Sequence, residues 1–192
     1  MMPPSPPPRL LRRADSLLLV IDVQERIASA IAGYAEIEQR CVRLISGAQR
    51  LKVPIILTEH VPEKLGPTVP AIRTALGAQS ALVKATFSAC SADPDGCGLR
   101  DQLKTAGRSQ LVFCGVETHV CVLQTALEAL ALGYQVFVVE DAVSSRALPH
   151  KENALRRIEQ AGGVIVNHES VLLEWLGKAT DPQFRAILGL VK

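Results

Sequence analysis

Six short runs rich in Val, Ile and Leu recur along the chain, at residues 16–23, 54–59, 81–86, 110–116, 135–140 and 163–167. They constrain the fold more than any other feature. Their apolar side chains are nearly continuous instead of alternating with polar ones, which is how strands read when both faces of a sheet are covered. Helical periodicity fills most of the gaps. Ile37, Cys41, Leu44, Ile45, Ala48 and Leu51 fall at three- and four-residue steps, one apolar stripe of a helix. Val122, Ala126, Ala129 and Leu130 form a second, stopped by Gly133. Pro149 opens a third, through Leu155 and Ile158 to Gly162. Ser170 caps a short helix through Leu173 and Leu176, and Asp181–Pro182 a last one through Phe184 and Ile187. Strands alternating with helices require crossover connections and a parallel sheet with helices on both faces. The predicted architecture is α/β: a three-layer, open, doubly wound sheet of about six mainly parallel strands, Rossmann-like in outline.

A chain of 192 residues accommodates one such domain, over residues 16–192, and no second one. There is no internal repeat. Residues 1–15 are Pro-rich and read as a disordered tail; their proline density rules out an amphipathic targeting helix. Residues 61–80, with Pro62, Gly66, Pro67 and Pro70, read as an irregular loop beside the strand ends, and residues 89–98 as a second.

Charge and composition remove several function classes. Arg9, Arg12, Arg13 and Asp15 together carry the whole net charge of +2, so the remainder is neutral and offers no basic face for a phosphate backbone. With aromatic residues at 4%, base stacking has little to work with. No nucleic-acid partner is expected. The apolar runs fall far short of the roughly 20 residues of a membrane span. The five cysteines are an odd number without a C-x-x-C pair, which points to free thiols in a reducing, cytoplasmic compartment.

Several signatures are missing: no G-x-G-x-x-G, no P-loop, no G-x-S-x-G elbow, and no H-x-x-x-H among the four histidines. Ligand sites in open α/β sheets form at the carboxyl ends of strands. Those ends hold Asp22 and Gln24, Glu59 and His60, Lys84 with Phe87, the segment Gly115 to Cys121, and Glu140 with Asp141. Asp22 and Lys84 each lie in an apolar strand and need a partner. Cys121 stands at the first turn of a helix, where the macrodipole, with Lys84 nearby, depresses a thiol pKa. A base, a cation and an activated thiol on three strand ends make up what nucleophilic catalysis requires.

Three motifs carry a resemblance. D-V-Q at 22–24, K-x-x-F-S at 84–88 and G-V-E-T-H-V-C-V-L-Q-T-A at 115–126 resemble the isochorismatase-like hydrolase, or cysteine hydrolase, superfamily. V-I-D-V-Q-E-R and the L-G-P-T-V stretch are similar to its isochorismatase-domain-containing branch and the YcaC-like proteins. The resemblance implies a catalytic triad of Asp22, Lys84 and Cys121, a non-proline cis peptide at Val116–Glu117, and an oxyanion hole built from the backbone N–H groups of Glu117 and Cys121. Gln24 and Phe87 are candidate pocket residues.

Departures from related enzymes narrow the expectation. Isochorismatases proper lack the cysteine; Cys121 shifts the expected chemistry to hydrolysis of a small-molecule amide, ureido or related C–N bond through a thioester. Nicotinamidases carry an Asp-x-His…His metal site after the second strand, and here His60 has no partner histidine. No metal and no cofactor is therefore expected, and Glu59 and His60 default to surface or packing roles. The alternatives from other classes are a catalytically silent scaffold and a redox-sensing thiol protein. The resemblance also implies a homo-oligomer, with the apolar segment Phe184, Ile187, Leu188, Leu190 and Val191 and the helix around Trp175 as the expected subunit contact.

Overall fold

The computed structural model describes residues 10–192. In chain order its elements are β1 (Ser16–Ile21), α1 (Glu25–Ala28), α2 (Tyr34–Leu51), β2 (Ile55–His60), α3 (Pro62–Leu65), α4 (Pro70–Leu76), β3 (Leu82–Lys84), α5 (Leu99–Ala106), β4 (Gln110–Val116), a π-helical turn (Thr118–Val122), α6 (Leu123–Ala131), β5 (Gln135–Ser144), α7 (Leu148–Gln160), β6 (Val164–Val166), α8 (His168–Leu176) and α9 (Phe184–Val191). The strands form one sheet in the order β3-β2-β1-β4-β5-β6, with every strand pairing parallel.

Both faces of the sheet are buried, which accounts for the unbroken apolar runs. Leu18 and Val20 of β1, with Val112 and Cys114 of β4, pack under α2, α4, α8 and α9. Leu17, Leu19 and Ile21, with Leu111 and Phe113, pack under α5, α6 and α7. The chain winds outward from β1 to β2 and β3, then returns to β4 on the other side of β1. The carboxyl ends of β1 and β4 therefore flank the topological switch point, the place where open α/β sheets form their crevice. The two strands approach closely there. Ile21 pairs with Gly115, whose φ is +112° and whose absent Cβ would lie 2.1 Å from the Ile21 carbonyl oxygen. Only glycine fits that position.

The structure corrects several expectations. Residues 61–80 are not an irregular loop: Pro62 and Pro70 open α3 and α4 at a first-turn position, where proline's missing N–H is harmless. α5 occupies a stretch in which no helix was expected. α8 is capped by Asn167, whose side chain accepts from the Ser170 N–H, and not by Ser170 itself. The ordered domain also begins before residue 16. Leu11 is buried, its N–H donates to Glu174 Oε2 at 2.8 Å, and Arg13 pairs with Asp181 at 3.1 Å. The Pro-rich residues 1–9 of the expected tail lie outside the described residues. α9 packs on α2 and α8 of its own chain with Ile187 wholly buried, while Phe184, Leu188, Leu190 and Val191 stay partly exposed. Among the described residues no helix is long and apolar enough to cross a membrane.

Candidate active site

Asp22 leaves β1 with a φ of +50°, and its side chain is shut off from solvent. A buried carboxylate needs compensation on each oxygen, and it has it. Thr58 at the end of β2 donates from Oγ1 to Oδ1 at 2.7 Å, and Lys84 at the end of β3 donates from Nζ to Oδ2 at 2.6 Å. Lys84 is equally buried. Its ammonium also donates to the carbonyl oxygens of Phe87 at 3.1 Å and Thr86 at 3.2 Å, so all three of its hydrogens are used.

Cys121 enters from the other half of the sheet. β4 ends at Val116, the Val116–Glu117 peptide is cis, and the π-helical turn that follows brings the thiol to Asp22 and Lys84. There the thiol feels the charges of both side chains. Thr125, one turn later, holds this turn in place. Its hydroxyl donates to the Cys121 carbonyl at 2.6 Å and accepts from the Ala89 N–H at 2.9 Å, tying the loop after Lys84 to the cysteine helix.

The electrostatics differ from the sequence expectation. Burial pushes the Cys121 thiol up, and the Asp22 carboxylate adds to the rise; Lys84 offsets only part of it. The thiol is thus held above its ordinary range by its depth, where the helix terminus alone would have lowered it. Other thiols share the effect: burial pushes Cys90 up to about 12, and Cys114 rises through its hydrogen bond with Cys41 and its burial. An unfolded thiol releases its proton near pH 9, whereas the folded Cys90 keeps it to about 12. The folded state thus holds the extra proton in that window, and stability falls as pH rises through it, by about 1.4 kcal/mol per pH unit for each such thiol. Urea unfolding between pH 9 and 11 should show this slope, and Cys90→Ala should make it shallower by one thiol's share. An unchanged slope would refute the assignment.

Cys121 opens onto a cavity of about 430 Å³ lined by Arg26, Ile27, Ala30, His60, Leu65, Phe87, Glu117, Val120 and Arg146. Phe87 is on its wall, half-exposed, with its ring 5.4 Å from that of His60. Gln24 is not on the wall. It is fully buried as a bracket, its side chain pairing with both the N–H (2.8 Å) and the carbonyl (3.0 Å) of His60 and with the Gly66 carbonyl at 2.7 Å. It fixes His60, which faces the cavity instead of serving as packing; burial and the Lys84 charge lower the His60 pKa. Glu59 points elsewhere, binding Thr68 and Arg73. Glu117 lines the cavity with its carboxylate paired to Arg146. Burial would raise its pKa, but bonds from the Arg146 side chain and backbone outweigh that and hold it below the usual range. Thr58, Thr125 and Arg26 stood in stretches singled out from sequence, the end of the second strand and the two motifs at 115–126 and 20–26, but were given no role; Arg146 was not singled out. No cluster of three or more potential metal ligands exists among the described residues.

Comparisons with known proteins show the family and the fold. The isochorismatase domain family matches residues 16–170. Isochorismatase domain-containing protein 2A of Mus musculus is 41% identical over 182 residues, spanning 92% of this chain and 82% of that protein. A MAR1 ribonuclease from Caenorhabditis elegans superposes with a TM-score of 0.87 at 36% identity, over 95% of this chain and 92% of that one. The YcaC gene product of Escherichia coli, described as an octameric hydrolase of unknown specificity, superposes with a TM-score of 0.87 at 26% identity, over 97% and 91%. The family match and these relatives assign the chain to the isochorismatase-like superfamily of hydrolases, in its YcaC-like branch.

Proposed function

We propose that this chain is a cysteine-dependent hydrolase that cleaves a C–N bond in a small-molecule amide or ureido compound. The observation that carries the reading is the meeting of Asp22, Lys84 and Cys121 at the switch point, with the thiol facing a cavity of small-molecule size. In this mechanism Asp22 takes the thiol proton as sulfur attacks the carbonyl carbon. The raised thiol pKa favours this concerted transfer over a standing thiolate. The carbonyl oxygen becomes an oxyanion against the backbone N–H groups of Glu117 and Cys121, and Lys84 keeps its charge beside both partners of the transfer. The tetrahedral intermediate expels the amine, which leaves with the proton held by Asp22, and a thioester remains. Asp22 then takes a proton from water as it attacks the thioester, and returns it to the Cys121 sulfur as the C–S bond breaks and the acid product leaves. No step calls on a metal or cofactor. The reading includes a homo-oligomer, supported by the octameric E. coli relative.

A panel of amides, ureides and N-carbamoyl compounds, followed by ammonia or amine release and by intact mass, tests the reading. The expected result is turnover together with an acyl adduct on Cys121. RNA cleavage without turnover of any amide, the activity named for the C. elegans neighbour, would overturn it.

A further inference from the structure

Two imidazole rings are stacked beside the turn that carries Cys121. His119 stands in the π-helical turn, two residues before the cysteine, and His150 in the first turn of α7. Their ring centroids are 4.8 Å apart and their planes 21° apart. His119 is also fixed by the segment after β5, where its Nδ1 meets Ser145 Oγ at 3.0 Å. α7 packs on the π-helical turn, so the stack is part of the contact that seats the turn. No step of the hydrolase reading uses either ring.

Such a pair holds together until both rings are charged. Stacked aromatic rings attract, whereas two imidazoliums at this spacing repel. The surrounding charges do not relieve that repulsion. From its own turn His119 faces the Glu117 carboxylate, which Arg146 already occupies. From beyond β5 it faces the Arg146 guanidinium, and from α7 it faces His150. Lys151 follows His150 on α7, with Glu140, Asp141 and Glu152 around it. β4 carries no charged residue, and α6 carries only Glu128, paired with Arg100 at 3.7 Å. Protonated on both rings, the stack sets two imidazoliums and a guanidinium against one carboxylate. Burial lowers the His119 pKa, and the His150 and Arg146 charges add to this against the pull of Glu117. An unfolded histidine takes its proton near pH 6.5. The folded His119 takes it less readily, so acid works against the folded contact as pH falls below that value.

We propose that the His119–His150 stack is an acid-released latch: near neutral pH it seats the Cys121 turn on α7, and protonation of both rings loosens the turn. The latch goes beyond the hydrolase reading and does not depend on it.

Hydrogen exchange on the full chain tests it. The amides of Val120 and Val122 donate to the Glu117 carbonyl at 3.1 and 3.2 Å and report on the turn; Val112, in the middle of β4, reports on the core. Protection is compared at about pH 5 and about pH 7.5, on either side of the ordinary histidine range, after correction for the intrinsic pH dependence of exchange. His150→Phe keeps a ring in the stack and removes its proton. Protection of Val120 and Val122 should fall about tenfold in acid in the native chain, the scale of one lost ring stack, and less than about twofold in His150→Phe. Val112 should stay protected in both. Should His150→Phe fail to fold, His150→Gln takes its place with the same expectation. The His119 ring resonance should titrate below its ordinary value in the native chain and move upward in the variant. Unchanged protection in the native chain overturns the latch. So does an equal loss in the variant, a loss shared by Val112, or a His119 midpoint that the substitution leaves in place.

Discussion

Asp22→Asn should lower the unfolding free energy by about 3–5 kcal/mol, because it removes one partner of a buried ion pair and leaves the other charge behind. The substitution keeps the shape and lets Thr58 go on donating to an amide oxygen. On the other side it turns an NH2 group toward the Lys84 ammonium, which sits 2.6 Å from the present carboxylate oxygen. Lys84 keeps only the carbonyls of Thr86 and Phe87, dipoles where it had a full counter-charge, and its side chain has no route to water. Asp22→Asn combined with Lys84→Met should recover most of the loss, since an apolar chain of similar length removes the stranded charge. On the proposed mechanism neither variant should turn over an amide, as both lack its base. Chemical denaturation of the two variants reads the result directly. A cost below about 1 kcal/mol for the single change, the range of an exposed pair, would mean that the ion pair is hydrated and the site more open than its geometry indicates.

Much of this arrangement was legible in the sequence because burial on both faces of a parallel sheet leaves a mark. Runs such as residues 110–116 have no polar alternation, and β4 occupies that same span. Once the strands are placed, their carboxyl ends follow, and with them Asp22, Lys84 and Cys121. What escaped did so for local reasons. Pro62 and Pro70 read as breakers in a loop, although each sits at the first turn of a helix. α5 buries only Leu99 and Leu103, too thin a stripe to stand out from its Gly-rich flanks. β5 was ended at Glu140, yet it runs to Ser144 with a register shift against β4 near Phe113 and Gly115. That displaced its carboxyl end, and Arg146 went unnoticed just beyond it. Gln24 has the residue type of a pocket wall, and only three-dimensional contacts show it to be a bracket for His60. The Cys121 pKa was misjudged because a sequence reveals a helix terminus but not the depth of the thiol beneath it.

Cys121→Ala should separate chemistry from stability, where Asp22→Asn merges them. With the proposed nucleophile gone no thioester can form, and amide turnover should fall by roughly 10⁴ or more, the scale on which removal of a catalytic nucleophile acts. Stability should move by no more than about 1 kcal/mol. The thiol anchors no structural hydrogen bond to the backbone; the clamp from Thr125 goes to the Cys121 carbonyl, which alanine retains. The Asp22–Lys84 pair also stays intact, since its partners are Thr58 and two carbonyls. Cys121→Ser should be nearly as inactive as alanine: an alcohol is far less acidic than a thiol, and a neighbouring carboxylate is too weak a base to activate it. Unfolding midpoints beside single-turnover rates on any substrate from the amide panel give both readouts. If Cys121→Ala kept more than a tenth of the turnover, bond cleavage would have to run by proton transfer alone, with Asp22 as the sole reacting group. If it unfolded as readily as Asp22→Asn, the thiol would be part of the ion pair's support and not the group that the pair is built to serve.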